Sequence, residues 1–173
     1  MILISIGANL PGRNGEPPLE TCRLAVQRLV TIPDVCLRAL SSWYMTEPVP
    51  PSGQPPYVNA VVRLEVEADA MEPDPAALLH TLHAIEASAG RVRGEPNAAR
   101  TLDLDIIAMG EGGQMVRNAP DPVLPHPRAH LRAFVLVPLL DVAPEWVHPV
   151  VGRGAAALLS GLPDQGVRRL DAV

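Results

Sequence analysis

The strongest constraint on this chain comes from residues 100–106, which read Arg-Thr-Leu-Asp-Leu-Asp-Ile. Aliphatic residues alternate here with Asp103 and Asp105, the period-two pattern of a β-strand that buries one face. The two aspartates then share the opposite face, with Cα atoms about 6–7 Å apart. Because strands disfavour Asp and like charges repel each other, we expect a cation to neutralise this pair.

Magnesium is the cation that best suits such a pair. Mg²⁺ prefers hard oxygen ligands and is commonly bound by one or two carboxylates together with substrate phosphates. Two ions about 3.5–4 Å apart could share both aspartates. The alternative is a solvated strand edge whose charges prevent aggregation. The residues of this strand alone leave both interpretations open.

An arginine-containing loop precedes the acidic strand. Residues 90–100 carry Arg91, Arg93 and Arg100, interrupted by Gly and Pro. Guanidinium groups beside paired carboxylates suit a clamp for nucleotide phosphates, although a solvated loop is the alternative. The chain contains no Lys and no Gly-x-Gly-x-x-Gly. A P-loop is therefore excluded, and any phosphate binding must use Arg and metal.

Composition indicates an ordinary globular enzyme or binding protein. The 173 residues, 47% of them hydrophobic, suit a single domain over residues 1–173, and a net charge of −5 argues against binding nucleic acid or an anionic membrane surface. Cys22 and Cys36 have neither disulfide-framework nor zinc-site spacing. No apolar run approaches the length of a membrane span, and no signal peptide is recognisable. We expect a cytoplasmic protein and a monomer.

Hydrophobic periodicity predicts the order strand, helix, strand, strand, helix, strand. The strands cover residues 2–6, 35–44, 57–67 and 102–106, and the helices cover residues 19–30 and 75–89. Asp74 should cap the second helix, and Gly90 should end it. This β-α-β-β-α-β order is typical of an α+β, ferredoxin-like sandwich with an antiparallel sheet and two helices on one face.

The predicted fold brings the polar strand residues together. If the helices pack on the aliphatic strand faces, then Tyr57, Asn59, Asp103 and Asp105 project from the uncovered face. The segment from Gly110 onward should be a C-terminal addition that wraps the same domain. A ring, an amide and two carboxylates on one surface indicate a site rather than a core.

Seven stretches of the sequence occur in an order that matches a known enzyme family. They are residues 6–10 (IGANL), 41–48 (SSWYMTEP), 54–60 (QPPYVNA), 90–93 (GRVR), 100–105 (RTLDLD), 124–128 (LPHPR) and 132–136 (RAFVL). In this ordered set the chain resembles the 6-hydroxymethyl-7,8-dihydropterin pyrophosphokinases of folate biosynthesis. The resemblance implies a ferredoxin-like α/β sandwich, in agreement with the order of elements.

The resemblance also implies a reaction, the transfer of pyrophosphate from ATP to the hydroxymethyl group of the pterin with release of AMP. Asp103 and Asp105 match the family's ligands for two Mg²⁺ ions. Arg91 and Arg100 match the arginines of a mobile loop that closes on the phosphates. These four residues are the catalytic residues that the resemblance implies.

Further residues match the binding sites of the two substrates. For the pterin they are Thr46, Glu47, Val49, Tyr57, Asn59 and Phe134, and for ATP they are Glu86, Arg93, His126 and Arg132. Tyr57 and Phe134 match the rings that sandwich the pterin, and Asn59 matches the amide that pairs with its edge. Without the resemblance, Phe134 would be interpreted as a core residue and Glu86 as a charge on a helix surface.

Two other functions remain to be distinguished from this one. A Mg²⁺-dependent phosphohydrolase could use the same aspartates, but it has little use for a pterin cleft. A non-catalytic ferredoxin-like binding module needs no arginine loop.

The spacings of His80 with His83 and of His126 with His130 could suit a metal, but neither pair has a companion Glu or Cys motif. The loop also departs from the family pattern, with Ala98 and Ala99 in place of the common Gly-Pro.

Overall fold

A six-stranded antiparallel sheet forms the centre of the computed structural model, which describes residues 1–48, 51–92 and 98–171. The strands are β1 (Ile2–Ala8), β2 (Val35–Leu40), β3 (Tyr44–Thr46), β4 (Tyr57–Val66), β5 (Asp103–Ala108) and β6 (Arg168–Arg169). The helices are α1 (Pro18–Leu29), α2 (Pro75–Ser88), α3 (Ala133–Val142) and α4 (Ala155–Leu159), with short 3₁₀ turns at Glu111–Gly113 and Ala129–Leu131.

The strand order is β5-β1-β4-β3-β6, and β2 pairs with the remaining part of β4. The predicted α+β, ferredoxin-like core is confirmed, with one difference. The strand predicted over residues 35–44 is divided into β2 and β3 at Ser41. Its side-chain Oγ accepts the Val61 N–H at 2.9 Å, a role that a backbone carbonyl would take in a continuous ladder.

Helices α1 and α2 cover one face of the sheet and bury its aliphatic side chains. The predicted ends of α2 are confirmed. The Asp74 carboxylate accepts the Ala77 N–H at 2.9 Å, and Gly90 follows the helix with φ of 87°. Within the described residues, no helix is both long and apolar enough to cross a membrane.

The second face of the sheet is covered over half its length. Leu3, Val61 and Ile107 lie in a second core with Val135 and Leu139 of α3. The expectation that this whole face is uncovered is therefore wrong, because the C-terminal addition contains α3, whose side chains are almost entirely apolar. The other half of the face, toward the end of β1, holds the polar residues.

Candidate active site

The strand register places the predicted polar residues side by side. Gly7 of β1 pairs with Asn59 of β4 on one side and with Asp103 of β5 on the other. Two residues earlier on β1, Ser5 pairs with Asp105. A Cβ atom at Gly7 would lie 3.3 Å from Oδ1 of Asn59. Because glycine has no side chain, the surface of the sheet between the amide and the carboxylates stays open.

Two arginines meet on Asp103. Arg100 Nη1 lies 2.6 Å from Oδ2 of Asp103, and Arg91 Nη1 lies 3.2 Å from Oδ1. Arg91 also donates to the carbonyl of Leu102, and Arg100 Nε donates to the carbonyl of Ala98. The two predicted loop arginines and the first aspartate therefore form one charged cluster.

Asp105 has a different environment from Asp103. Its side chain is 34% exposed, and Nε2 of His126 lies 3.8 Å from its Oδ2. Partial burial, and then the charge of Asp103, raise the pKa of Asp105, while His126 and Arg132 act in the opposite direction. Burial lowers the pKa of His126, and Arg132 and Arg128 lower it further. The ionised form of Asp105 is thus electrostatically disfavoured until a cation binds.

The two aspartates fit the requirements of Mg²⁺. They offer hard oxygen ligands on one strand face, and their mutual repulsion is relieved by a cation. Within the described ranges, no group of three or more His, Cys, Asp or Glu side chains could enclose a metal ion. Substrate phosphates and water would therefore complete the coordination, which is the usual arrangement for Mg²⁺.

The residues predicted for the pterin lie next to this cluster. Asn59 and Thr46 are buried, and Nδ2 of Asn59 donates to Oγ1 of Thr46 at 2.8 Å. Thr46 is the last residue of β3. The hydroxyl of Tyr57 donates to Oε1 of Gln54 at 3.1 Å and lies 3.4 Å from the carbonyl of Ala98.

Helix α3 contributes the second aromatic ring. Phe134 is half-buried against the second core, and the guanidinium of Arg132 lies 5.3 Å from the centre of its ring. Burial, and then the charge of Arg128, lower the pKa of Arg132. Arg132 forms no ion pair with any other described residue. Its charge is available to an anionic ligand beside Asp105.

Comparison with known proteins decides the family. The family model for 7,8-dihydro-6-hydroxymethylpterin-pyrophosphokinase (HPPK) matches residues 3–144. The chain belongs to the HPPK family. The resemblance predicted from the seven stretches is therefore confirmed.

Individual relatives agree with this assignment. The 2-amino-4-hydroxy-6-hydroxymethyldihydropteridine pyrophosphokinase of Pseudomonas aeruginosa is 36% identical over 169 residues, which cover 98% of this chain and 96% of that relative. The enzyme of the same name from Synechocystis is 38% identical over 148 residues, covering 86% of this chain and 71% of the relative.

Solved HPPK structures share the fold. The HPPK-DHPS protein of Plasmodium falciparum matches with a TM-score of 0.66 at 12% sequence identity, covering 92% of this chain and 42% of that one. This chain thus spans about two fifths of the length of that protein. The likeness concerns the fold alone.

Some residues implied by the HPPK resemblance lie apart from the carboxylate cluster. Glu86 is 4% exposed on α2, where its Oε1 accepts the Leu104 N–H at 2.8 Å, so it is not a surface charge. Glu47 is exposed, with Oε1 4.0 Å from Arg168. Val49 and Arg93 lie outside the described residues. The ATP and pterin roles of these residues stay predictions.

Asn9 was given no role from the sequence, although it lies in one of the HPPK stretches. It is 2% exposed, and its Nδ2 donates to the carbonyl of Pro55 at 3.0 Å. Its Oδ1 accepts the Arg100 N–H at 2.8 Å. Asn9 thus joins the segment before Tyr57 to the segment that carries Arg100. Its position directly after a buried strand is the one sequence signal of this role.

Proposed function

We propose that this chain catalyses the Mg²⁺-dependent transfer of the pyrophosphoryl group of ATP to the hydroxymethyl oxygen of 6-hydroxymethyl-7,8-dihydropterin, with release of AMP. Membership of the HPPK family supports the transfer. The observation that carries the proposal is the carboxylate pair Asp103 and Asp105, which lies between two arginines and the buried amide of Asn59.

The reaction requires positioning and charge neutralisation. The hydroxymethyl oxygen attacks the β-phosphorus in line, the bond to the α,β-bridging oxygen breaks, and AMP leaves with that electron pair. The hydroxyl proton passes to solvent water. Bound Mg²⁺, held by Asp103 and Asp105, would supply Lewis-acid neutralisation of the phosphate charge. The remaining contributions come from the side chains of the protein.

Arginine side chains contribute donors for the phosphates. Arg91 and Arg100 bind Asp103 in this structure, and phosphate oxygens offer them an equivalent anionic partner. As the nucleotide binds, each guanidinium can exchange the carboxylate for phosphate. Arg132 and His126 both interact with Asp105, which supports a role for them in binding a second part of the same phosphate chain. The negative charge of the phosphates then meets hydrogen-bond donors of the protein on both sides of the phosphate chain.

The pterin is held by two rings and an amide. Tyr57 and Phe134 offer aromatic faces for stacking. Because Nδ2 of Asn59 donates to Thr46, the orientation of the amide is fixed, and its Oδ1 lies over Gly7, where a Cβ atom would be only 3.3 Å away. That oxygen is available to accept from the donor groups on the pterin edge. This arrangement aims the hydroxymethyl group toward the carboxylate pair.

Product analysis tests the proposal. Purified protein is incubated with Mg²⁺, ATP and 6-hydroxymethyl-7,8-dihydropterin, and the products are separated by chromatography. We expect AMP and pterin pyrophosphate in equal amounts, no turnover when a chelator removes Mg²⁺, and recovery when Mg²⁺ is restored. ADP or free phosphate without modified pterin would indicate a hydrolase. Bound substrates without turnover would indicate a binding module.

A pair of variants tests the role of the arginine. Arg100→Ala should slow the single-turnover rate more than it weakens pterin binding, because Arg100 forms its ion pair with Asp103, a predicted metal ligand. Arg23→Ala, on the exposed side of α1, is the matched control. Calorimetry that shows chiefly a loss of pterin affinity would contradict the phosphate role.

A further inference from the structure

Two neighbouring histidines each have a buried nitrogen atom that lacks a hydrogen-bond partner. Among the described residues, Nδ1 of His130 and Nε2 of His148 are buried nitrogen atoms without a partner. The two rings are neighbours, with centroids 5.2 Å apart and planes at 80° to each other. Because buried polar groups in folded proteins are almost always paired, two such atoms on adjacent rings require an explanation.

The protonation state of His148 follows from its surroundings. Its Nδ1 accepts the N–H groups of Val150 and Val151 at 3.3 and 3.2 Å. An imidazole nitrogen that accepts hydrogen bonds carries no proton, so Nε2 carries the proton of the neutral ring. Burial, and then the nearby His130, lower the pKa of His148, which keeps the ring neutral. Its Nε2–H is a buried donor that lacks an acceptor.

His130 lies in the segment that presents two predicted site residues. This segment, residues 126–134, contains His126 and Arg132 and runs through the turn Ala129–Leu131. Its start is fixed because the His126 N–H donates to the carbonyl of Ile107 at 2.9 Å. Its end is fixed by Gln165, whose side chain accepts the Ala133 N–H and donates to the carbonyl of Leu131. The middle of the segment contacts His148 through His130.

The residues that contact the middle and the end of the segment 126–134 come from the C-terminal part of the chain. His148 and Gln165 both lie beyond residue 144, where the match to the family model ends. His148 is itself held in place by its contact with the buried Trp146, at a centroid distance of 5.5 Å. A rigid C-terminal support thus contacts a segment whose orientation determines where Arg132 points.

We propose that His148 is a positioning residue for Arg132, and that its Nε2–H donates to Nδ1 of His130. The χ2 torsion of histidine is broad, and because the bonds to Val150 and Val151 hold the His148 ring, it is a rotation of the His130 ring that completes this bond. The bond fixes the turn Ala129–Leu131 and thereby the backbone that presents Arg132 to the phosphates. The inference rests on the proposed function for the identity of the phosphates, but not for the bond between the histidines.

Nuclear magnetic resonance tests the bond directly. Long-range ¹⁵N–¹H correlation spectra of the ¹⁵N-labelled full chain at neutral pH report which nitrogen of each imidazole carries the proton. We expect protonated Nε2 and unprotonated Nδ1 in His148, and an unprotonated, hydrogen-bonded Nδ1 in His130. A proton on Nδ1 of His130 would overturn the proposal, whether or not the chain transfers pyrophosphate.

Substitutions at position 130 test the positioning role. His130→Phe keeps a ring against His148 but has no acceptor, whereas the Oδ1 atom of His130→Asn can replace Nδ1. We expect the Kd for Mg·ATP to rise about fivefold in the Phe variant, as for one lost hydrogen bond, and to stay within about twofold in the Asn variant. The Kd for the pterin should be unchanged in both. His80→Phe, exposed on α2, is the control.

The outcomes separate this proposal from a purely structural role. If the Phe and Asn variants bind Mg·ATP equally well, His130 does not act through an acceptor and the proposal fails. The proposal also fails if affinity follows the melting temperature rather than the presence of an acceptor. Should His130→Phe not fold, the Asn variant and His130→Gln decide, since the Gln oxygen replaces Nε2 rather than Nδ1. A wild-type chain that binds Mg·ATP without turnover would contradict the proposed function and not the bond between the histidines.

Discussion

One face of the central sheet has two halves that are built from the same strands and do different things. In the covered half, Val61 is fully buried beneath Leu139 and the rest of α3. In the open half, two residues earlier on β4, Asn59 pairs with Gly7, which lies between it and the acidic strand β5. The strand pleat is the same in both halves. The boundary is set by where α3 begins, at Ala133.

The comparison teaches that stability and chemistry are separated on this face. Apolar burial in the covered half stabilises the fold by about 25 cal/mol per Å² of buried surface. The open half contains like charges and polar groups that contribute little to stability or oppose it. Substitutions should therefore divide into those that unfold the chain and those that inactivate it.

The largest expected effect is on catalysis, in Asp105→Asn. Loss of a metal ligand should lower kcat/KM about a thousandfold, or ~4 kcal/mol of transition-state stabilisation. The melting temperature should stay the same or rise, because burial and Asp103 raise the pKa of Asp105 and its charge is unfavourable in the folded chain. Kinetics and thermal unfolding measure the two effects, with Asp69→Asn in an exposed turn as control. A clear loss of stability would contradict the separation.

The converse prediction concerns Leu139→Ala in the covered half. Leu139 is fully buried, and its truncation should lower the free energy of unfolding by about 3 kcal/mol through lost burial and a cavity. Because no site residue changes, kcat measured well below the melting temperature should match wild type. Urea denaturation and kinetics test this, with the more exposed Leu37→Ala as control. A fall in kcat in the folded variant would show that the halves are coupled.

The next largest effects, on pterin affinity and on stability, are expected when a polar and an apolar residue are exchanged between the two halves. Asn59→Val removes the amide from the open half, and pterin affinity should fall about thirtyfold, as expected for two lost hydrogen bonds. Stability should change little, since the added apolar burial offsets the loss of the Thr46 partner. Val61→Asn should do the reverse, lowering stability by about 2 kcal/mol with pterin affinity intact. Equal loss of affinity in both variants would refute the comparison.

Local patterns in the sequence predicted the features that depend on neighbouring residues. The alternation in β5, the Asp74 cap and the left-handed Gly90 are of this kind, and so is the order of elements, with which the family motifs agree. Features that depend on distant partners were not predictable. Glu86 is buried because it accepts from Leu104 of the edge strand, and Ser41 divides a strand because it accepts from Val61.

The half-covered face is the clearest example of this limit. The strand pattern of β4 is the same whether or not a helix lies above Val61, so periodicity cannot show where α3 packs. The same applies to Asn9, whose partners Pro55 and Arg100 are distant in sequence. Residues that join segments are visible only once the segments have been brought together.

The smallest expected effect is on the pH dependence of stability. It concerns His148, which contacts Trp146 and His130 at the border of the covered half. Since burial lowers the pKa of folded His148 below 6.5, the unfolded chain binds more protons at acidic pH. The contribution of His148 to stability is therefore constant above that pH and decreases as the pH falls below it. Urea denaturation across this range should show a shallower acid loss in His148→Phe than in wild type.

Only the difference in slope between His148→Phe and wild type is informative, because all other titrating groups are shared by the two chains. His80→Phe, at an exposed position on α2, is the control for replacing a histidine by phenylalanine. Any loss of the bonds to Val150 and Val151 lowers stability equally at every pH and leaves the slope unchanged. Identical slopes in His148→Phe and wild type would mean that His148 has the same proton affinity folded and unfolded.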